Sequence, residues 1–91
     1  MNQIKQLENT GVLQTLLFLG EKGKTKITDI PLGGSKTTLY RALNILTKLE
    51  LIDEERRKPF TRYIQLTDDG ETIAKKLSEI NTTLEAKRDH R

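Results

Sequence analysis

The stretch "PLGGSKTTLYRAL", residues 31–43, holds the residue types from which phosphate sites are built. Gly33 and Gly34 lead into Ser35, Lys36, Thr37 and Thr38, and the run that follows has helical periodicity. A glycine pair permits a tight turn. A helix start offers free backbone N–H groups and the positive end of the helix dipole, to which lysine and hydroxyl side chains add donors. A nucleotide-binding loop of the GxxxxGK type does not fit. It needs glycine directly before the lysine and again five residues earlier, where this chain has Ser35 and Ile30. No buried strand leads into the stretch, and no aspartate-bearing βαβ pattern surrounds it. The same donors suit a phosphate of a polynucleotide.

Charge extends that reading along the chain. Net charge is only +3, from 16 basic and 13 acidic residues. Residues 35–49 contain Lys36, Arg41 and Lys48 and no acid, and residues 56–62 contain Arg56, Arg57, Lys58 and Arg62 and no acid. Outside these segments stand 9 basic and 13 acidic residues, so a mildly acidic body carries two strongly basic elements. This is the footprint of a polyanion binder. Thr37, Arg41, Asn44 and Lys48 step by four, three and four along one helical face, flanked by Lys36 and Tyr40. Arginine reads guanine and asparagine reads adenine through paired hydrogen bonds, and threonine can touch a thymine methyl. The plainer reading of both runs is a solvated face, against which the lack of acids weighs. Phe60 fits turn packing better than a wedge between bases.

Other chemistries find little support. There are no cysteines, which removes disulfides, thiolate metal sites and thiol redox chemistry. No carboxylate pair, Ser/His/Asp set or metal-ligand spacing is present, so neither an enzyme nor a cofactor or metal is expected. His90 lies in the polar tail "AKRDHR" and is read as neither ligand nor catalyst. "MNQIKQLENTG" lacks the apolar core of a signal peptide, and "VLQTLLFLG" is too short to span a bilayer. A cytoplasmic protein is expected, with no membrane partner. At 91 residues it makes one domain, with no evident pocket for a small-molecule effector.

The elements that would position these residues follow from periodicity. Residues 1–10 form an arm, with a short helix through Ile4 and Leu7. Thr10 is placed as the N-cap of a helix over about 11–21, whose Val12, Leu13, Leu16, Leu17 and Leu19 recur at helical spacing. A brief helix is expected over 25–30, stopped by Pro31. Ser35 caps a helix to Leu49 with an apolar stripe of Leu39, Ala42, Leu43, Leu46 and Leu49. Residues 52–56 and 63–66 alternate as strands of a two-stranded hairpin turning at "RRKPF", where Pro59 suits a turn. Thr67 or Asp68 caps the last helix, and Asp68 with Glu71 has capping-box spacing. Ile73, Leu77, Ile80 and Leu84 step by four, three and four, a seam of coiled-coil type.

The segments "SKTTLYRALNILTKLELI" and "RYIQLTDDG" resemble small winged-helix transcription regulators of the MarR type and related archaeal DNA-binding proteins. The likeness runs from about Gly11 to Leu84. That family usually has glycine before the Leu-Ile pair, where this chain has Glu50. The resemblance implies a mainly α fold with a small β-hairpin (α+β): a winged helix-turn-helix over 1–67 and a dimerisation helix over 68–91. It implies a homodimeric, sequence-specific binder of double-stranded DNA, with helix 35–49 in the major groove and the wing on the backbone or minor groove. The expected DNA contacts are Ser35, Lys36, Thr37, Thr38, Tyr40, Arg41, Asn44, Lys48, Arg56, Arg57, Lys58 and Arg62. The expected dimer seam is Ile73, Leu77, Ile80 and Leu84. Two rivals share the fold, a non-specific architectural chromatin protein and a protein–protein interaction module.

Overall fold

The computed structural model describes residues 3–31, 35–57 and 61–88. The Gly33-Gly34 turn, Lys58, Pro59, Phe60 and His90 lie outside the described residues. In chain order the elements are α1 (Ile4–Leu7), α2 (Val12–Lys22), β1 (Thr25–Lys26), a 3₁₀ turn (Ile27–Asp29), α3 (Lys36–Lys48), β2 (Ile52–Arg57), β3 (Thr61–Leu66) and α4 (Asp68–Arg88).

The apolar stripes of α2 and α3 supply most of the core, although Leu13 of the α2 stripe is exposed. Val12, Leu16 and Leu19 of α2 meet Ala42, Leu43 and Leu46 of α3, and Leu51, Ile52 and Ile64 close the core from the sheet. Each such leucine, fully buried, contributes about 1.5–3 kcal/mol. Helices α2 and α4 cross closely at Gly20, where an added Cβ would stand 3.0 Å from that of Ala74.

Three local expectations are corrected, and of the two caps expected for α4 one is found. The cap of α2 is Gly11, at φ 85°, not Thr10. The Thr15 hydroxyl donates to the Gly11 carbonyl at 2.7 Å, so this buried polar group is satisfied inside the helix. Residues 25–30 are not a helix but a short strand and one 3₁₀ turn. Thr25 and Lys26 pair with Ile64 and Tyr63, so the expected two-stranded hairpin is a three-stranded antiparallel sheet in the order β1-β3-β2. Ile30 is extended at ψ 115°, as a residue preceding proline must be. Thr67, rather than the Asp68–Glu71 box, caps α4: its hydroxyl accepts from the Gly70 N–H at 3.1 Å and donates to the Glu50 carbonyl at 2.8 Å. That hydroxyl ties α4 to the end of α3. Gly70 is there because any Cβ would fall 2.0 Å from the Leu51 carbonyl oxygen.

The end of α3 forms the turn that usually recruits glycine. Leu51 N–H donates to the Leu46 carbonyl at 2.9 Å and Glu50 N–H to that of Thr47 at 3.0 Å. This closure places the residue after the cap in the left-handed region. Glu50 occupies it at φ 59°. The geometry is therefore that of the glycine-bearing turn, at the steric cost a side chain incurs there. Glu50→Gly is expected to raise stability by about 0.5–1 kcal/mol, the relief of strain being partly offset by glycine's greater freedom when unfolded. Denaturant unfolding checks this, and a loss of stability would refute it.

Candidate nucleic-acid interface

Ser35 opens α3 as its sequence requires: the Thr38 N–H donates to the Ser35 hydroxyl at 3.3 Å. With Ala42, Leu43 and Leu46 turned inward, the opposite face must be solvated. Lys36, Thr37, Tyr40, Arg41, Asn44 and Lys48 are all exposed, with Tyr40 at 44%, and Thr38 is half-buried. No carboxylate pairs with Lys36, Arg41 or Lys48 among the described residues. The face is a row of hydrogen-bond donors with a tyrosine in it.

Two of the wing's expected contact residues pair with a carboxylate of the same hairpin. β2 and β3 pair so that Arg56 stands opposite Arg62 and Glu54 opposite Ile64. Directly opposed residues share a face of the sheet, as do alternate residues of one strand. One face therefore runs from the core residues Ile52, Ile64 and Leu66 outward to Glu54, Arg56 and Arg62. There Glu54 takes both cations. Arg62 donates from Nε to Oε2 and from Nη2 to Oε1, each at 2.8 Å, and Arg56 Nε reaches Oε2 at 3.0 Å. The Arg62 guanidinium also lies 5.8 Å from the centroid of the Tyr40 ring, joining the wing to α3. Arg56 keeps 78% of its side chain exposed, whereas Arg62 keeps 38%. Arg62 is thus a bridge between wing and helix, and Arg56 is the more exposed of the pair. The Arg57 side chain and Lys58 lie outside what the structure describes.

Sequence reasoning missed Glu54. It lies outside the acid-free segment by two residues, yet strand alternation and the hairpin register return it to the same face. The signal was present once that register was fixed. Also missed was Lys26, which with Ile27, Thr28, Tyr40, Thr61 and Arg62 lines a shallow cleft between the 3₁₀ turn, α3 and the wing. Lys26 is exposed and adds a cation beside α3. On the sheet's other face Lys24 pairs with Glu55 at 3.1 Å.

The hydrogen bonds from Arg62, and then those from Arg56, hold the Glu54 carboxyl down to about 2 against partial burial. A depressed carboxyl pKa stabilises the fold above its unfolded value near 4.5 and loses that contribution as pH falls through about 2. The group is solvated, so the gain is small. Glu54→Gln is expected to cost about 0.5–1 kcal/mol at pH 7. The difference should vanish between pH 4.5 and 2, and urea unfolding at several pH values measures it. A constant difference down to pH 2 would show the ion pair to be inert.

No family model matches the sequence, and no curated protein does. Solved structures do. FabT of Streptococcus pneumoniae, crystallised in complex with DNA, aligns with a TM-score of 0.73 at 17% identity, over 97% of this chain and 71% of that one. MepR, a transcription regulator of the Staphylococcus aureus multidrug efflux pump MepA, gives 0.72 at 22% identity over 93% and 67%. AF1382 of Archaeoglobus fulgidus gives 0.68 at 20% identity over 93% and 92%. The fold is a winged helix. At these identities the likeness is one of architecture, and it is the architecture implied by the resemblance to MarR-type regulators. In winged-helix topology α3 takes the place of the second helix of the helix-turn-helix, β2 and β3 form the wing, and the 3₁₀ turn stands where the first helix would. Among the described residues no group of His, Cys, Asp or Glu could hold a metal ion. No described helix is long and apolar enough to cross a membrane.

Proposed function

We propose that this protein is a transcription regulator that binds double-stranded DNA with a sequence preference, as a homodimer in the cytoplasm. One observation carries the reading: the exposed face of α3 presents Lys36, Thr37, Tyr40, Arg41, Asn44 and Lys48 without an acid, in the winged-helix position that meets the major groove. Arg41 and Asn44 stand at mid-helix, where base edges are reached. Ser35, Lys36, Thr37 and Thr38 stand at the helix start, where a phosphate is reached. Arg56, Arg57 and Lys58 bear on the backbone, and Arg62 holds the wing. Residues 1–67 form the DNA-binding unit, and residues 68–91 join the two copies through α4. FabT, solved on DNA, supports the reading by fold.

Selection from random duplex DNA near physiological salt tests it. The expected product is a motif with two half-sites about 10–10.5 base pairs apart, one helical turn. Tight binding with no enriched motif would favour the architectural chromatin protein. No binding at all would leave the interaction-module reading.

A further inference from the structure

We propose that Tyr40 positions the wing: its ring holds Arg62, and through Arg62 and Glu54 it sets the angle at which β2 and β3 stand against α3. This rests on the DNA reading above. It removes Tyr40 from the residues that touch bases and makes it a positioning residue, acting on DNA through Arg62.

The outer half of the wing has no core to hold it. Ile52 and Ile64 are buried at its base, but none of residues 53–56 or 61–63 is buried. β1 backs β3 only at Ile64 and Tyr63. A two-stranded ribbon beyond such support is marginal and sets no angle of its own. Polar ties take over. Glu54 and Glu55 are consecutive and therefore face opposite sides of the sheet. On one side Lys24, in the turn after α2, reaches Glu55 at 3.1 Å. On the other side Arg62 donates two hydrogen bonds to Glu54, each at 2.8 Å, and its guanidinium lies over the Tyr40 ring, 5.8 Å from the centroid. The first tie holds the hairpin to the end of α2 and the second holds it to α3.

The chemistry of the second tie suits a surface that must also meet DNA. Glu54 engages both Nε and Nη2 of Arg62, which fixes the plane of the guanidinium before it meets the ring. The ring attracts the cation without a formal charge, so it holds an arginine whose side chain stays 38% exposed. A carboxylate in place of Tyr40 would also hold Arg62, but it would repel the DNA backbone. Around α3, at 100° per residue, Tyr40 stands about 70° from the centre of the stripe formed by Thr37, Arg41, Asn44 and Lys48. It lies on the edge that the wing meets. Arg41 and Asn44 are left to face the groove while Tyr40 faces Arg62.

Tyr40→Leu removes the ring and Tyr40→Phe keeps it, and the position is outside the core. In the free protein, Tyr40→Leu is expected to speed amide hydrogen exchange severalfold across residues 55–57 and 61–63, and Tyr40→Phe to leave it as in wild type. Unchanged exchange in Tyr40→Leu would overturn the proposal. On a selected duplex, Tyr40→Leu is expected to lower affinity about two- to fivefold, the fold-change equivalent to an exposed cation–π contact. Tyr40→Phe is expected to bind as wild type. In an Arg62→Gln background Tyr40→Leu should cost nothing further, since the ring then has no guanidinium to hold. An equal loss in both backgrounds, or a loss in Tyr40→Phe, would show Tyr40 touching DNA itself and overturn the proposal. Wild-type protein that binds no duplex would overturn the DNA reading, while the exchange measurement would still decide the bridge.

Discussion

Raising monovalent salt from 50 to 200 mM is expected to lower the affinity for duplex DNA by about 10³–10⁵. Net charge does not produce this result, since +3 spread over 91 residues would be a weak attraction. Concentration of charge does. Lys36, Arg41 and Lys48 lie exposed on α3, and Lys26 is exposed beside it. Arg56 extends from the wing although one Glu54 oxygen contacts it. Arg62 counts less, because its two hydrogen bonds to Glu54 already neutralise it. A dimer of such surfaces can neutralise roughly six to ten phosphates, and the logarithm of affinity falls by about 0.9 per phosphate for each tenfold rise in salt. Fluorescence anisotropy of a labelled duplex across that salt range gives the slope. A flat response would remove the electrostatic basis of the reading.

How much of this surface was legible in the sequence depended on the range of the interaction involved. The helices α2, α3 and α4 and their apolar stripes are local patterns with a period, and periodicity exposes them. The face of α3 was readable for the same reason, since Arg41, Asn44 and Lys48 recur within one helix. The strand β1 was not readable. Thr25 and Lys26 acquire their partners from Ile64 and Tyr63, nearly forty positions away, and a two-residue strand has no period of its own. Glu54 was lost to a segment boundary: a count of acids along the chain is blind to a hairpin that folds them back. The Glu50 turn shows the reverse case. Its sequence departs from the glycine usual there, yet the backbone hydrogen bonds of Glu50 and Leu51 hold the left-handed geometry. The closure of the helix end decides the conformation, and the side chain bears the strain. The seam of α4 was legible as a stripe, but only the structure divides it. Ile73 and Leu77 serve the chain's own core, whereas Ile80 and Leu84 do not.

Removing Arg41 and Asn44 is expected to abolish sequence preference while sparing non-specific binding. Both are exposed at the middle of α3, on the face away from Ala42, Leu43 and Leu46. A helix docked in the major groove turns its exposed face to the base edges. A bidentate contact to a base is worth about 1–3 kcal/mol of discrimination, and its loss relaxes the preference at that position. Loss of a phosphate contact weakens all sequences alike and reduces the salt slope by about one. Arg41→Ala and Asn44→Ala should therefore each lower the ratio of selected to random affinity by about 5–150-fold, the equivalent of that energy. Arg57→Ala and Lys58→Ala should weaken both duplexes in parallel and leave the ratio where it was. Arg62→Ala separates the bridge from both classes. It removes the guanidinium that joins Glu54 to Tyr40, so its first effect is on how the wing sits against α3. Two duplexes and five variants at one fixed salt concentration decide the matter. Should Arg41→Ala and Lys58→Ala lower the affinity for both duplexes by the same factor, α3 does not read sequence, and the protein belongs with binders that recognise the backbone alone.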